Sequence, residues 1–478
     1  MKKLVHLIIV IFLTGNLVGL HAQSLVSVTD LGFYSRIGVS FLGLTNPEYD
    51  LNLYKVTYNT IDLNGNSTIA SGMIAVPINP NCDSVPIALY GHGVVANKQD
   101  VPSRDNFEAT LGKAIATRGF VTAMPDYLGL GDNPGLHPFQ HAESEAQVSI
   151  DIIRAAKELI TDSLSYTFNN QIFISGYSQG GHTAMATHKY IEDNNLESEF
   201  NIVASTPLSG AFHASSTQAR VLLDDMVFGN QGFVVYMIMA YQEVYGGIYN
   251  TPSDFLQSPY DVTIPPLLDG THDLSEINDS LPNQASLYLN PTFLANFLAD
   301  SSTQTSAMWQ ALLDNDNYDW KPNKHLKMFY CRGDESVFPE NSENAYDAMV
   351  ANGANLVFKE DLGNASHTGC IVGAINNSIE FFQSVRPACD EPASTNSLSS
   401  SHPNMMVYPN PGSNHVSIKF EDVQRGQIEI CNLSGQVVFS RAINSTAYLN
   451  VRNWTEGIYL IRLITSEKTL IKKLVIKH

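Results

Sequence analysis

The stretch that decides the reading is Gln171-Ile172-Phe173-Ile174-Ser175-Gly176-Tyr177-Ser178-Gln179-Gly180-Gly181-His182. Residues 171–175 form a short apolar run with the character of a buried strand, and 180–192 carry a helical pattern. Between them Gly176 and Gly180 frame Ser178 in the order Gly-x-Ser-x-Gly. Glycine has no Cβ, so the chain can turn sharply and hold Ser178 in a strained conformation. Such a turn stands the hydroxyl at the C-terminal edge of a sheet. The helix behind it offers free N–H groups and the positive end of its dipole. The bare pattern is common by chance; the strand–turn–helix setting marks Ser178 as a candidate nucleophile.

Working outward, the same rhythm repeats. Residues 54–63 and 68–76 alternate as a strand pair joined by Asn64-Gly65-Asn66. Strands are expected at 85–90, 120–124, 201–208, 326–331 and 355–359. Helices are expected at 106–118, 143–160, 341–350 and 370–382. Strands that are apolar without alternation, separated by helices, imply a mostly parallel sheet covered on both faces. Residues 212–324 break the rhythm with aromatic and Pro-rich sequence, and an insertion of that size reads as a cap or lid.

A serine hydroxyl is a weak nucleophile; it needs a base, and the base needs an orienting carboxylate. On a sheet of this kind the partners follow in the order Ser, acid, His. Asp334 lies just past the expected strand 326–331, and His367 past 355–359. Glu335 and Asp361 are the rival acids. A tetrahedral intermediate needs two N–H donors. One is the amide of Gln179. The other is expected from Tyr90-Gly91-His92-Gly93-Val94, with Val94 assigned and Gly93 as the alternative. His92 reads as a loop anchor, and His182 and His188 as packed or solvated. Residues 314–319 resemble a calcium loop, but the central Gly is absent and position 12 is His325. His137 and His141 have a spacing that could clamp a metal, yet a structural role suits them better, so no metal is expected. No phosphate or dinucleotide fingerprint occurs.

The ends differ from the middle. Lys2 and Lys3 precede an apolar stretch of ten residues and small residues up to Ala22, the pattern of a signal peptide over 1–22. Residues 390–404 are Ser-, Pro- and Asn-rich and read as a linker. Short β segments then fill 405–478, enough for a small β-sandwich. The 478 residues carry 47 acidic and 27 basic side chains, a net −20. Residues 1–22 hold +2, 404–478 hold +4, and 23–403 hold −26. So acidic a middle excludes nucleic acid as a partner and disfavours anionic membranes. Of the five cysteines, Cys431 reads as a buried thiol, and Cys370–Cys389 or Cys82–Cys331 are the guessed pairings.

With these residues placed, 50–389 resemble the α/β-hydrolase family, and in detail its secreted lipases and esterases. Pro125-Asp126-Tyr127-Leu128-Gly129-Leu130-Gly131 and Gly176-Tyr177-Ser178-Gln179-Gly180-Gly181-His182 are similar to signatures of the secretory-lipase group. The double Gly is also similar to prolyl-oligopeptidase-type peptidases, which carry a propeller that this chain has no room for before its core. The tail resembles type A C-terminal sorting domains of type IX secretion. The residues that carry this are Val407-Tyr408-Pro409-Asn410-Pro411, Asn432-Leu433-Ser434-Gly435-Gln436, Trp454-Thr455-Glu456-Gly457-Ile458-Tyr459 and the terminal lysines.

Together these imply an α/β-hydrolase fold over 23–389 with a helical cap at about 212–324, plus a small C-terminal β-sandwich. The expected function is a secreted serine hydrolase of carboxylic esters, exported through the periplasm, needing no cofactor and having no stable membrane insertion. Its expected partners are a small-molecule or lipid ester and the type IX machinery. A serine peptidase on the same triad, or a silent hydrolase-fold binding protein, are the alternatives.

Overall fold

A computed structural model describes residues 24–40, 42–44, 46–78, 80, 84–164, 166–386, 405–408, 410, 412–420, 426–432, 437–443, 446–464 and 469–478. The expected signal peptide, the linker, Cys82 and Cys389 lie outside the described residues. The chain divides into two compact units, Met1–Asp390 and Glu391–His478.

Among the described residues the first unit is built on nine strands: β1 (Leu25–Tyr34), β2 (Leu51–Ile61), β3 (Ser67–Pro77), β4 (Ser84–Gly91), β5 (Val121–Pro125), β6 (Thr167–Tyr177), β7 (Ile202–Leu208), β8 (His325–Tyr330) and β9 (Val357–Asp361). They form one sheet in the order β1-β2-β3-β5-β4-β6-β7-β8-β9. From β5 to β9 every neighbouring pair is parallel, while β1, β2 and β3 join antiparallel. The hairpin β2–β3 turns on Asn64-Gly65-Asn66, with Ile61 opposite Ser67. Its partner β1 is a largely exposed edge strand that was not among those expected.

Both faces of the sheet are covered, because the central parallel strands β4, β5, β6 and β7 are apolar on both sides. In β4, Ala88 and Tyr90 pack toward the helices Phe107–Ala116 and His367–Val385. Val85, Ile87 and Leu89 pack toward Ala142–Glu158 and Gln179–Asp193. Asn106 caps the first of these helices by accepting from the Ala109 N–H.

Residues 212–324 hold helices and, among the described residues, no strand. The longest is Gln231–Tyr245, joined by Pro291–Ala299 and Ala307–Asp314. They share one apolar cluster of their own, with Trp309 stacked on Phe297 at 4.4 Å between ring centroids.

One expectation is corrected here. Cys331 is bonded to Cys370, so neither guessed pairing is present. Cys331 directly follows β8, and Cys370 lies in the first turn of the helix His367–Val385. The Cα atoms are 6.0 Å apart, a separation a disulfide bridges. Spacing along the chain gave no sign that these two ends meet.

Among the described residues the second unit has seven short strands: β10 (Met405–Tyr408), β11 (His415–Phe420), β12 (Gly426–Asn432), β13 (Val437–Ile443), β14 (Thr446–Asn450), β15 (Gly457–Ile464) and β16 (Thr469–Ile476). They form two antiparallel sheets, β10-β11-β14 and β13-β12-β15-β16. Val416, Ile418 and Leu449 from one sheet and Ile428, Ile430 and Ile461 from the other fill a single core. Cys431 is buried with a free thiol.

Candidate active site

The turn after β6 sits as the sequence suggested, with Ser178 as its strained residue. Ser178 itself takes φ 61° and ψ −118°, a conformation costly for a side-chain-bearing residue. Neither Gly176 nor Gly180 has positive φ. They are needed for close approach instead. A Cβ on Gly180 would lie 1.9 Å from the Gly91 carbonyl oxygen, and one on Gly176 would lie 2.2 Å from the Gly180 oxygen. The glycines let the helix Gln179–Asp193 seat directly on β4 and β6, and the Ser178 N–H donates to the Leu208 carbonyl of β7 at 3.0 Å.

The parallel strands deliver the other expected residues to the same edge. His367 is the first residue of its helix rather than a loop residue, with Ser366 capping that helix through the Gly369 N–H. His367 Nε2 lies 2.9 Å from Ser178 Oγ, and His367 Nδ1 lies 2.7 Å from Asp334 Oδ2. All three side chains are buried. The second carboxylate oxygen of Asp334 accepts the N–H groups of Ser336 and Val337, at 3.0 and 2.8 Å. The rival acids are engaged elsewhere. Glu335 accepts the backbone N–H of His367, and Asp361 pairs with Arg332.

Two further contacts fix His367. Tyr177 O–H donates to the His367 carbonyl at 2.6 Å, and the Cys331–Cys370 bond ties the acid loop to the helix that carries His367. Burial raises the Tyr177 phenol above its ordinary pKa, so it stays a donor.

On the loop after β4, the Gly93 N–H already donates to Glu108 Oε2 at 3.1 Å. Val94 lines the same cavity as Ser178 and Gln179. Glu108 also accepts from Tyr90 O–H, and burial pushes its carboxyl above the usual range. His92 is buried and stacks on Tyr127 at 4.3 Å, with Nδ1 2.7 Å from the Gly93 oxygen. Tyr127 O–H donates to the His92 carbonyl. The Pro125–Gly131 stretch therefore braces the loop from below, and its Asp126 accepts from Ser71 and Ser103.

Behind the serine lies a polar cluster that sequence reasoning missed. Glu145 Oε1 accepts from Gln179 Nε2 at 2.8 Å, and Glu145 Oε2 lies 2.7 Å from His182 Nδ1. Burial would raise the carboxyl of Glu145, but the adjacent His182 holds it below its ordinary value; burial would lower His182, and Glu145 raises it instead. The two form a buried ion pair. His137 is held neutral by burial, with a pKa lowered to about 4, and its Nε2 accepts from Gln179. Glu145 shares a helix face with Val148 and Ile152, and an acid on an apolar face was the signal available. His188 is buried against Ser205 and Glu192.

Ser178 opens onto a cavity at the sheet edge. Its walls are mainly apolar and come largely from 212–324, among them Ala219, Leu222, Phe233, Met237 and Phe297. Among the described residues there is no cluster of three or more side chains that could hold a metal ion. Nor, among them, is any helix long and apolar enough to cross a membrane.

Comparison with known proteins adds the following. Residues 406–477 match the family profile of the secretion system C-terminal sorting domain. A protein of Legionella pneumophila subsp. pneumophila assigned as a hydrolase is similar at 29% identity and a TM-score of 0.69, covering 78% of this chain and 100% of that one. The rice cell wall degrading esterase LipA from Xanthomonas oryzae is similar at 28% identity and TM-score 0.67, with 76% and 98% covered. Candida antarctica lipase A shares the fold at 15% identity and TM-score 0.53, with 77% and 84% covered. The search of curated proteins found no match. The chain is a hydrolase of α/β-hydrolase fold that carries a type IX secretion sorting domain at its C-terminus.

Proposed function

We propose that the protein is a secreted serine esterase or lipase acting on esters with an apolar acyl group. The observation that carries this reading is the chain Ser178–His367–Asp334, with hydrogen-bond distances of 2.9 and 2.7 Å, opening onto an apolar cavity. Ser178 Oγ attacks the ester carbonyl while His367 Nε2 takes its proton. Asp334 accepts the Nδ1–H, fixing the tautomer and stabilising the imidazolium. The N–H groups of Gln179 and Val94 receive the oxyanion. His367 then protonates the departing alcohol, and water cleaves the acyl-enzyme by the same steps in reverse. None of these steps calls for a cofactor.

Similarity to the Xanthomonas oryzae esterase supports ester over amide cleavage. The sorting domain supports release to the cell surface or medium. Two experiments test the reading. p-Nitrophenyl ester hydrolysis by Ser178→Ala is expected to fall to background, and activity comparable to the parent enzyme overturns the triad. Deleting 405–478 is expected to retain the protein in the cell envelope, and normal secretion overturns the export role.

A further inference from the structure

Gln179 occupies a double position. Its backbone N–H is one of the proposed oxyanion donors, and its side chain is wholly buried at the hub of the polar cluster behind the turn. Gln179 Nε2 donates to Glu145 Oε1 at 2.8 Å and to His137 Nε2 at 2.7 Å. Glu145 in turn is paired with His182, one helical turn beyond Gln179 on the same helix. His182 Nε2 lies 3.1 Å from the Asn315 carbonyl oxygen and 2.9 Å from Asn317 Nδ2. Asn315 ties back to the start of the Glu145 helix by accepting the Ala142 N–H at 2.7 Å. Asn317 N–H donates to the Phe212 carbonyl at 2.8 Å, so both ends of the inserted segment meet at this cluster.

A buried ion pair is not an efficient way to stabilise a fold. Desolvating two charges offsets most of their attraction, and apolar replacements often do as well. A strained turn, by contrast, persists only where the surroundings over-determine it. Ser178 at φ 61° is such a turn, and the peptide that leaves it carries the Gln179 N–H. A side-chain clamp on Gln179 therefore controls the direction of the N–H at the point where it must meet developing charge.

We propose that Glu145 and His182 are positioning residues for the oxyanion site: their pair clamps the Gln179 side chain and so fixes the Gln179 N–H toward the tetrahedral intermediate. The inference rests on the esterase reading and adds to it two residues that touch neither substrate nor Ser178. It requires that their loss damage the transition state more than substrate binding. Misplacing a catalytic group by an ångström costs on the order of 10²-fold, and deleting one oxyanion donor costs on the order of 10²- to 10³-fold.

The test is a mutant cycle on p-nitrophenyl butyrate with Glu145→Gln, His182→Asn, Gln179→Ala and the double variant Glu145→Gln/Gln179→Ala. Glu145→Gln and Gln179→Ala are each expected to lower kcat on the order of 10- to 100-fold, with KM within about twofold. A boronic acid that forms a tetrahedral adduct on Ser178 is expected to lose affinity by the same factor. The double variant should be no slower than Gln179→Ala alone, because the clamp acts only through that side chain. A rise in KM with kcat unchanged, or a double variant slowed by the product of the two single effects, overturns the proposal. If Glu145→Gln does not fold, His182→Asn takes its place in the cycle with the same expected pattern. Ser178→Ala separates the two levels. Activity comparable to the parent there sinks the triad reading, whereas a Ser178→Ala at background beside a Glu145→Gln with normal kcat sinks only the clamp.

Discussion

The sheet edge around Ser178 and the inserted segment 212–324 face each other across one cavity, yet they are built by different rules. At the edge, backbone contacts dictate the geometry: glycines pressed against carbonyl groups, a serine at positive φ, and residues delivered by consecutive parallel strands. In the insertion, short helices are held by side-chain packing around Trp309, Phe297 and Tyr288, without a strand among the described residues. Backbone constraints admit few solutions and hold the reacting groups. Apolar side-chain packing admits many solutions of equal volume, so this part is free to define what is bound. On this account, chemistry belongs to the edge and substrate choice to the insertion.

Substitutions at the edge should therefore abolish activity on every ester, and substitutions in the insertion should redistribute it. The largest expected effect is His367→Ala, which should lower kcat/KM on the order of 10⁴-fold or more for short and long acyl chains alike. A loss confined to one chain length would break the division. Next is Gly180→Ala. Its methyl has no space beside the Gly91 oxygen, so thermal or urea unfolding should show a loss of about 3 kcal/mol, and near-normal stability would contradict the close-approach argument.

On the other side of the cavity, Ala219→Phe should fill part of the apolar volume. Relative to an acetate ester, long-chain esters should then be hydrolysed about 10- to 100-fold more slowly. An equal loss on both substrates would place Ala219 with the edge instead. The smallest expected effect lies where the two regions meet. Burial holds His141 neutral, with its pKa lowered to about 4 from 6.5, and its ring packs against Tyr245 of the insertion. A lowered folded value means the unfolded chain binds more protons between those limits. Stability is then complete above pH 6.5 and is lost as pH falls toward 4. His141→Phe should make that acid slope shallower, by at most about 1.4 kcal/mol per pH unit. An unchanged slope between pH 6.5 and 4 would show that His141 takes no part in it.

The same contrast explains what could be read from the sequence. The strand–turn–helix around Ser178 was legible because a glycine pattern and a change of hydrophobic period coincide there. Asp334 and His367 stood out by order along the chain, and the structure brings both within hydrogen-bond reach of the Ser178 system. Most strands of the sheet fell within a few residues of expectation, since uninterrupted apolar runs mark strands buried on both faces. The edge strand β1 lacked that signature, and β10 was too short to show one. The Cys331–Cys370 bond and the contacts of Glu108 and Glu145 were invisible for another reason. Each joins elements that are adjacent only after the sheet has formed. The shape of the insertion was not legible at all, because helices of four to fifteen residues packed on one another leave no single period to detect.

The central claim is that Ser178 is the nucleophile of an ester-cleaving triad. Its most direct test is covalent labelling with an alkyl p-nitrophenyl phosphonate, followed by mass spectrometry of the peptide that contains residues 171–182. The account predicts one phosphonyl adduct on Ser178, lost in Ser178→Ala and strongly slowed in His367→Ala. No adduct on an enzyme that still hydrolyses esters, or an adduct on another residue with activity abolished in parallel, would contradict it.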